Sequence, residues 1–294
     1  MINLSKKWRI TMDTRIIDLH THTTESDGSF TPEELMLEAK RKGLSAIAIT
    51  DHDTFAGIDK AMPVAIANDI ELIPGIEFST DYNGKEVHVV GLYIDITHPH
   101  LNAKLKEFRE CRDNRNVLIV ENLQKEGFDI TMEALKAENP DCVITRANIA
   151  RFLYEHGMIP SIQTAFEKYI GDDCKCFVNR FKVTPMEAVS LIKEAGGIAI
   201  LAHPLLYHMS TPVLQKMVDE LKDSGLDGIE AIYCTYSTSE EREMKEFARK
   251  NNLLISGGSD FHGSTKPKLQ LATGYGKLHI PYSVLENIKN NRNS

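Results

Sequence analysis

Short apolar runs, each reaching a histidine or a carboxylate, alternate in this chain with segments of helical period. Ile16-Ile17-Asp18-Leu19 leads into His20-Thr21-His22, with Asp27 five residues on. Leu44–Thr50 ends in Asp51-His52-Asp53. Glu71–Phe78 carries Glu77, and Lys85–Ile94 carries His88. Ile198–Ala202 stops at His203-Pro204, and Leu253–Gly257 runs into Gly258-Ser259-Asp260-Phe261-His262-Gly263. Repeated strand–helix units predict a parallel sheet, open or closed into a barrel. Both arrangements gather functional groups at the carboxyl ends of the strands.

The helices between the runs are marked by their caps. Thr31-Pro32-Glu33-Glu34 starts one with a capping box, and Gly43 stops it after about Lys42. Gly57–Asn68 is expected to be helical despite Pro63, and Thr184-Pro185-Met186-Glu187 repeats the capping device. Val213–Ser224 and Ser239–Asn251 are the helices on either side of the strand Gly228–Tyr233. Asp81-Tyr82-Asn83-Gly84 predicts a hairpin joining the Glu77 and His88 strands antiparallel. From Thr97 to Phe181 the strand signal lapses: Leu101–Gly127, Thr131–Ala137, Arg146–His156 and Ser161–Ile170 all read as helix. The expected division is a barrel of 1–96 and 182–294 around a helical insertion of 97–181.

The bulk properties narrow the class. A length of 294 residues suits one large α/β unit or a barrel with an insertion. The net charge of −8 argues against broad nucleic-acid or membrane coating. No apolar stretch approaches the roughly 20 residues of a membrane helix. Met1–Arg15 has basic residues but no apolar core of a secretory signal. Five loosely spaced cysteines, Cys174 and Cys176 among them, suit structural thiols in a reducing compartment, so a cytoplasmic location is expected.

On a strand, residues two apart point to one side, so His20 and His22 can aim at one ion. A lone histidine at a strand end is more often a capped or surface residue. Several strand ends that each carry histidine or a carboxylate are hard to explain without metal, because buried imidazoles and carboxylates have little reason to converge otherwise.

As an ordered set these segments resemble the PHP (polymerase and histidinol phosphatase) family of metal-dependent phosphoesterases. The matching pieces are Asp18-Leu19-His20-Thr21-His22, Ser26-Asp27-Gly28, Ile49-Thr50-Asp51-His52-Asp53, Pro74-Gly75-Ile76-Glu77, His88, Ala202-His203-Pro204 and Gly257-Gly258-Ser259-Asp260-Phe261-His262. They run from the first strand to the last. The resemblance implies an α/β fold, a distorted (β/α)7 TIM-like barrel with a bi- or trinuclear metal centre. His20, His22, Glu77 and Asp260 would hold one ion. Glu77 as a bridge, with His88 and His203, would hold a second, and Asp27, His52 and His262 a third. Glu77, Asp260 and His203 would be the catalytic core. Asp27 stands where many relatives have histidine, which favours harder ions such as Mn or Fe over Zn. Asp51 and Asp53, which flank His52, are expected to orient imidazoles from behind the ligands, with capping of the loop the alternative for Asp53.

Three divalent ions against three carboxylates leave a local excess of roughly +3, which suits a phosphate despite the acidic chain. The implied reaction is attack on phosphorus by a hydroxide held between metals. The expected substrate is a small phosphomonoester, nearest to the 3',5'-nucleoside bisphosphates. The resemblance places Arg146 at a phosphate-binding position, and His208 is a further candidate contact. Leu206 replaces the arginine of nucleotide phosphatases in Ala202-His203-Pro204-Leu205-Leu206-Tyr207, which removes their second phosphate grip and weighs against their bisphosphate preference. Arg109, Arg112 and Arg115 fall on one helical stripe and are expected to face solvent, while His98 and His100 are expected in a loop. Three alternatives stand: a 5'-3' exonuclease on short oligonucleotides, an amidohydrolase-type C–N hydrolase, and a non-catalytic metal-binding regulator. No membrane partner and no stable nucleic-acid complex are expected.

Overall fold

The computed structural model describes residues 14–140, 142–172, 174–178 and 183–292. Most of the Met1–Arg15 segment and the expected boundary at 181–182 lie outside these residues. Seven strands form one sheet in sequence order: β1 (Ile16–Asp18), β2 (Leu44–Ile49), β3 (Glu71–Tyr82), β4 (Lys85–Leu92), β5 (Ile198–Leu201), β6 (Gly228–Tyr233) and β7 (Leu254–Gly258). Pairing is parallel except around β4, which runs antiparallel to both β3 and β5. The β3–β4 hairpin turns at Asn83 and Gly84, both left-handed (φ 56° and 86°), as the Asn-Gly signal predicts.

The sheet curls until its edges meet, giving a nearly closed barrel. The amide of Leu19 donates to Gly257 O (3.2 Å), and that of Asp260 donates to His20 O (2.9 Å). Closure requires glycine at 258, because a Cβ there would stand 2.1 Å from that of His20. The regular part of β1 ends at Asp18, so His20 and His22 lie just beyond the strand expected to carry them. They keep a common direction because these edge contacts hold the backbone there.

Helices α1 (Pro32–Lys42), α2 (Ala56–Ala67), α7 (Pro185–Glu194), α8 (Thr211–Asp223), α9 (Thr238–Lys250) and α10 (Tyr282–Arg292) pack on the barrel. The Thr31–Glu34 capping box and the left-handed Gly43 that ends α1 are both present. The segment between β4 and β5 supplies α3 (Pro99–Lys125), α4 (Met132–Glu138), α5 (Arg146–Glu155) and α6 (Ile162–Ala165), the last followed by a π-helical turn at Phe166–Ile170. Its apolar centre is separate: Ile119, Leu123, Leu135, Ile149 and Leu153 cluster apart from the barrel core. Leu101, Leu105 and Phe108, in the first half of α3, belong to the barrel core. This helix therefore crosses from barrel to insertion.

Two expectations about this helix fail. His98 caps α3 by accepting from the Leu101 amide (3.3 Å), and His100 lies within its first turn rather than in a loop. The arginine stripe does not face solvent: Arg112 and Arg115 are buried, at 3% and 4% exposure, because this side of α3 faces the barrel mouth.

Candidate metal centre

The carboxyl ends of the strands bring the expected side chains to one point. Glu77 lies in β3, and His88 in β4 stands opposite Ser79. Residues two apart share a face, so His88 points to the same side as Glu77. His20, His22, His52, His203, Asp260 and His262 come from the turns beyond β1, β2, β5 and β7. Three turn residues here have left-handed backbones: Asp53 (φ 54°), His203 (φ 29°) and Asp260 (φ 55°). Such conformations cost roughly 1–3 kcal/mol each, a strain often stored where side chains must be aimed.

Donor atoms fall into overlapping groups. His20 Nε2 and His22 Nε2 are 3.2 Å apart. They stand 3.3 and 3.2 Å from Glu77 Oε2, and 3.6 and 3.2 Å from Asp260 Oδ1. His88 Nδ1 and His203 Nε2 are 2.8 and 3.2 Å from the other Glu77 oxygen, Oε1. His262 Nε2 lies 3.3 Å from Asp27 Oδ1, and His52 Nε2 lies 3.8 Å from Asp27 Oδ2. Two donors on one cation at bond lengths of about 2.1 Å stand about 3.0–3.4 Å apart, so much of this spacing is that of ligands rather than of packed rings. His22 serves two groups: its Nδ1 is buried without a hydrogen-bond partner, 3.8 Å from Asp27 Oδ1. His22, Asp27, His52 and His262 form one potential ligand group, His20, His22 and Glu77 another, and His52, Glu77 and His88 a third.

The electrostatics also call for cations. Burial opposes the charge of Glu77, Asp27 and Asp260, yet surrounding imidazoles, with Lys266 at Asp260, hold all three well below the usual carboxylate range. Burial likewise opposes protonation of His22 and His88, but adjacent carboxylates push them up to about 9 and about 10. Burial wins at His52, which falls to about 3. Protons thus carry the positive charge that the buried carboxylates require. The residues fit a divalent-metal centre, since cations would take over that role by displacing the protons.

Several residues absent from the sequence expectations support the cluster. Glu230 in β6 accepts from His20 Nδ1 (2.8 Å) and from the His203 amide (2.7 Å). Donation from Nδ1 leaves the lone pair of His20 on Nε2, facing the cluster. A register shift after Glu230 lets Tyr233, three residues on, also reach the cluster: its hydroxyl donates to Asp260 Oδ2 (2.8 Å). Lys266 Nζ donates to the same oxygen (2.7 Å). The signal for Glu230 was present as one carboxylate inside the apolar run Gly-Ile-Glu-Ala-Ile-Tyr. Asp51 and Asp53 bind the loops and the helix around the cluster. Asp51 accepts from Thr23 and Ser26, fixing the loop that carries Asp27, and Asp53 holds Arg112.

A cavity of about 330 Å³ opens over the cluster, with Arg112, Arg115 and Arg146 on the insertion side and Leu206, Tyr233 and Lys266 on the barrel side. Arg146 donates to Glu86 Oε2 (2.8 Å), whose other oxygen accepts from His88 Nε2 (3.1 Å). His208 is exposed and does not line the cavity, because the left-handed turn at 208 carries it past the rim. Among the described residues, no helix is long and apolar enough to cross a membrane.

Comparison with known proteins agrees with the site. A model of the PHP domain matches residues 18–171. A 5'-3' exoribonuclease of Haemophilus influenzae is 39% identical over 249 residues, 85% of this chain and 90% of that protein. A 3',5'-nucleoside bisphosphate phosphatase of Chromobacterium violaceum is 33% identical over 250 residues, 84% of this chain and 87% of that protein. A solved structure from Bifidobacterium adolescentis, assigned to the metal-dependent phosphoesterases, superposes with a TM-score of 0.83 at 28% identity, over 94% of this chain and 96% of that one. With its cluster of histidines and carboxylates at the mouth of a seven-stranded barrel, the chain belongs to the PHP domain family and is a metal-dependent phosphoesterase, a hydrolase of phosphoric ester bonds.

Proposed function

We propose that the enzyme hydrolyses the phosphoester on the 3' oxygen of a nucleotide that carries a second phosphate, with a 3',5'-nucleoside bisphosphate as the small substrate. The observation that carries this is a single cavity, of a size suited to a small ligand, with the imidazole–carboxylate cluster on one wall and Arg146 on another. His20, His22, Glu77 and Asp260 are assigned to one divalent ion. Glu77, His88 and His203 are assigned to a second, and Asp27, His52 and His262 to a third, the ions being Mn, Fe or Zn. Bound there, such ions supply Lewis acidity, sharpening water as a nucleophile and neutralising charge on the phosphoryl oxygens. Glu230 and Tyr233 hold the ligands in aim. Arg146 is assigned to the second phosphate. Its partner Glu86 is itself bonded to His88, and its second carboxylate partner, Asp172, is exposed to solvent, so Arg146 can turn to a phosphate without stranding a buried carboxylate.

A second substrate is supported by the relatives. Proteins 38–39% identical to this chain are 5'-3' exoribonucleases. Release of a 5'-terminal nucleotide from RNA breaks the same bond, between phosphorus and the 3' oxygen of a 5'-phosphorylated nucleotide. Protein loaded with Mn, Fe or Zn is to be offered a 3',5'-bisphosphate, nucleoside monophosphates and short 5'-phosphorylated oligoribonucleotides. The bisphosphate should release phosphate fastest, and Arg146→Ala should raise its KM about tenfold while sparing a monophosphate. Faster turnover of the oligoribonucleotide would make the exonuclease the principal activity. No turnover of any nucleotide by metal-loaded protein would refute both.

A further inference from the structure

We propose that Lys266 binds the phosphoryl group under attack, exchanging the carboxylate of Asp260 for a phosphoryl oxygen when substrate enters. This rests on the phosphoesterase assignment of the site but not on which ester is cleaved.

The cations around the cavity differ in what they leave behind if they move. Arg112 is bonded to Asp53, which is fully buried, and its departure would take away the cation paired with that charge. Arg112 is therefore part of the frame. Lys266 is held differently. Its Nζ lies 2.7 Å from Asp260 Oδ2, and that same oxygen accepts from Tyr233 Oη at 2.8 Å. Asp260 thus keeps a donor, and its aim, after the ammonium leaves. The other oxygen, Oδ1, faces His22 Nε2 (3.2 Å) and His262 Nδ1 (3.4 Å), so the ammonium stands one carboxylate away from the ligand cluster.

The backbone that presents Lys266 is held by side-chain hydrogen bonds, while the side chain is partly exposed at the cavity. Residues Gly263–Thr265 form a short helical turn directly after His262. The Ser264 amide donates to Ser29 Oγ (2.7 Å), and Thr265 Oγ1 donates to Asp27 O (3.2 Å). The Lys266 side chain keeps 39% of its exposure and lines the cavity. Charge supplies the direction of exchange. Once a divalent cation shares Asp260, the pull of that carboxylate on the ammonium weakens, and an entering phosphoryl dianion becomes the stronger partner.

The test uses Lys266→Met, which keeps the apolar stem, and Lys266→Arg. Metal content, binding of inorganic phosphate by calorimetry, and kinetics on phenyl phosphate are measured on metal-loaded protein. Lys266→Met should retain wild-type metal content, bind phosphate at least about tenfold more weakly and raise KM for phenyl phosphate, while Lys266→Arg should recover most of the loss. Wild-type phosphate affinity in Lys266→Met would overturn the proposal. So would loss of metal in that variant, which would make Lys266 a support for Asp260 alone, and so would failure of the wild-type protein to bind phosphate. Phenyl phosphate carries neither a nucleoside nor a second phosphate, so these outcomes are separate from failure of the nucleotide assignment.

Discussion

The barrel and the helical insertion face the same cavity but contribute to it by different means. On the barrel side, donors come from strand ends, are buried, and point at one another across about 3 Å. On the insertion side, three polar groups reach across to barrel carboxylates: Arg112 to Asp53, Thr145 to Asp27 (2.9 Å) and Arg146 to Glu86. The apolar centres of the two regions are separate, so much of the joint near the cavity is polar. The reacting centre thus sits on the barrel. The insertion trims surplus negative charge around it through Arg112 and Arg146.

Breaking the joint should have the largest effect. Arg112→Ala leaves Asp53 buried and should cost about 3–5 kcal/mol, read as a lower midpoint in urea unfolding. A loss below about 1 kcal/mol would mean that the ion pair is not what holds α3 to the barrel mouth. On the barrel side, Glu230→Gln removes the anionic partner of His20 and should weaken metal binding about 10–100-fold with the fold intact. Unchanged metal affinity would show that strand geometry alone aims the imidazole. The smallest effect is expected at the contact joining the regions through Asp27. Thr145→Val removes the hydrogen bond to Asp27 together with the side-chain cap of α5, at about 1–2 kcal/mol, and should lower the affinity of one metal while sparing the rest. Equal weakening of all the bound metal would contradict a separate position at Asp27.

What the sequence made legible follows the same division. Strands fix direction with a period of two and end where the sites lie, so His20, His22, His52, Glu77, His88, His203, Asp260 and His262 could be marked from their runs. The insertion has no such rule. An arginine stripe on a long helix usually faces water, and only the crossing of α3 from one core to the other turns Arg112 inward. Lys266 gave no signal, because it reaches Asp260 through a turn whose course depends on Ser29 and Asp27. Glu230 was visible as an acid in an apolar strand, but its role needed the barrel to close and bring His20 beside it. His208 looked available by chain position, and the turn at that residue sends it outward.

The strand-end cluster is assigned to the divalent ions through which hydrolysis proceeds, with Glu77 common to more than one of them. Metal analysis of purified wild-type and Glu77→Gln protein, paired with phosphate release from a phosphomonoester, tests this assignment most directly. More than one divalent ion per wild-type chain is expected, with metal content and activity falling together in the variant, activity by at least about 100-fold. A variant with full metal content and full activity would contradict it.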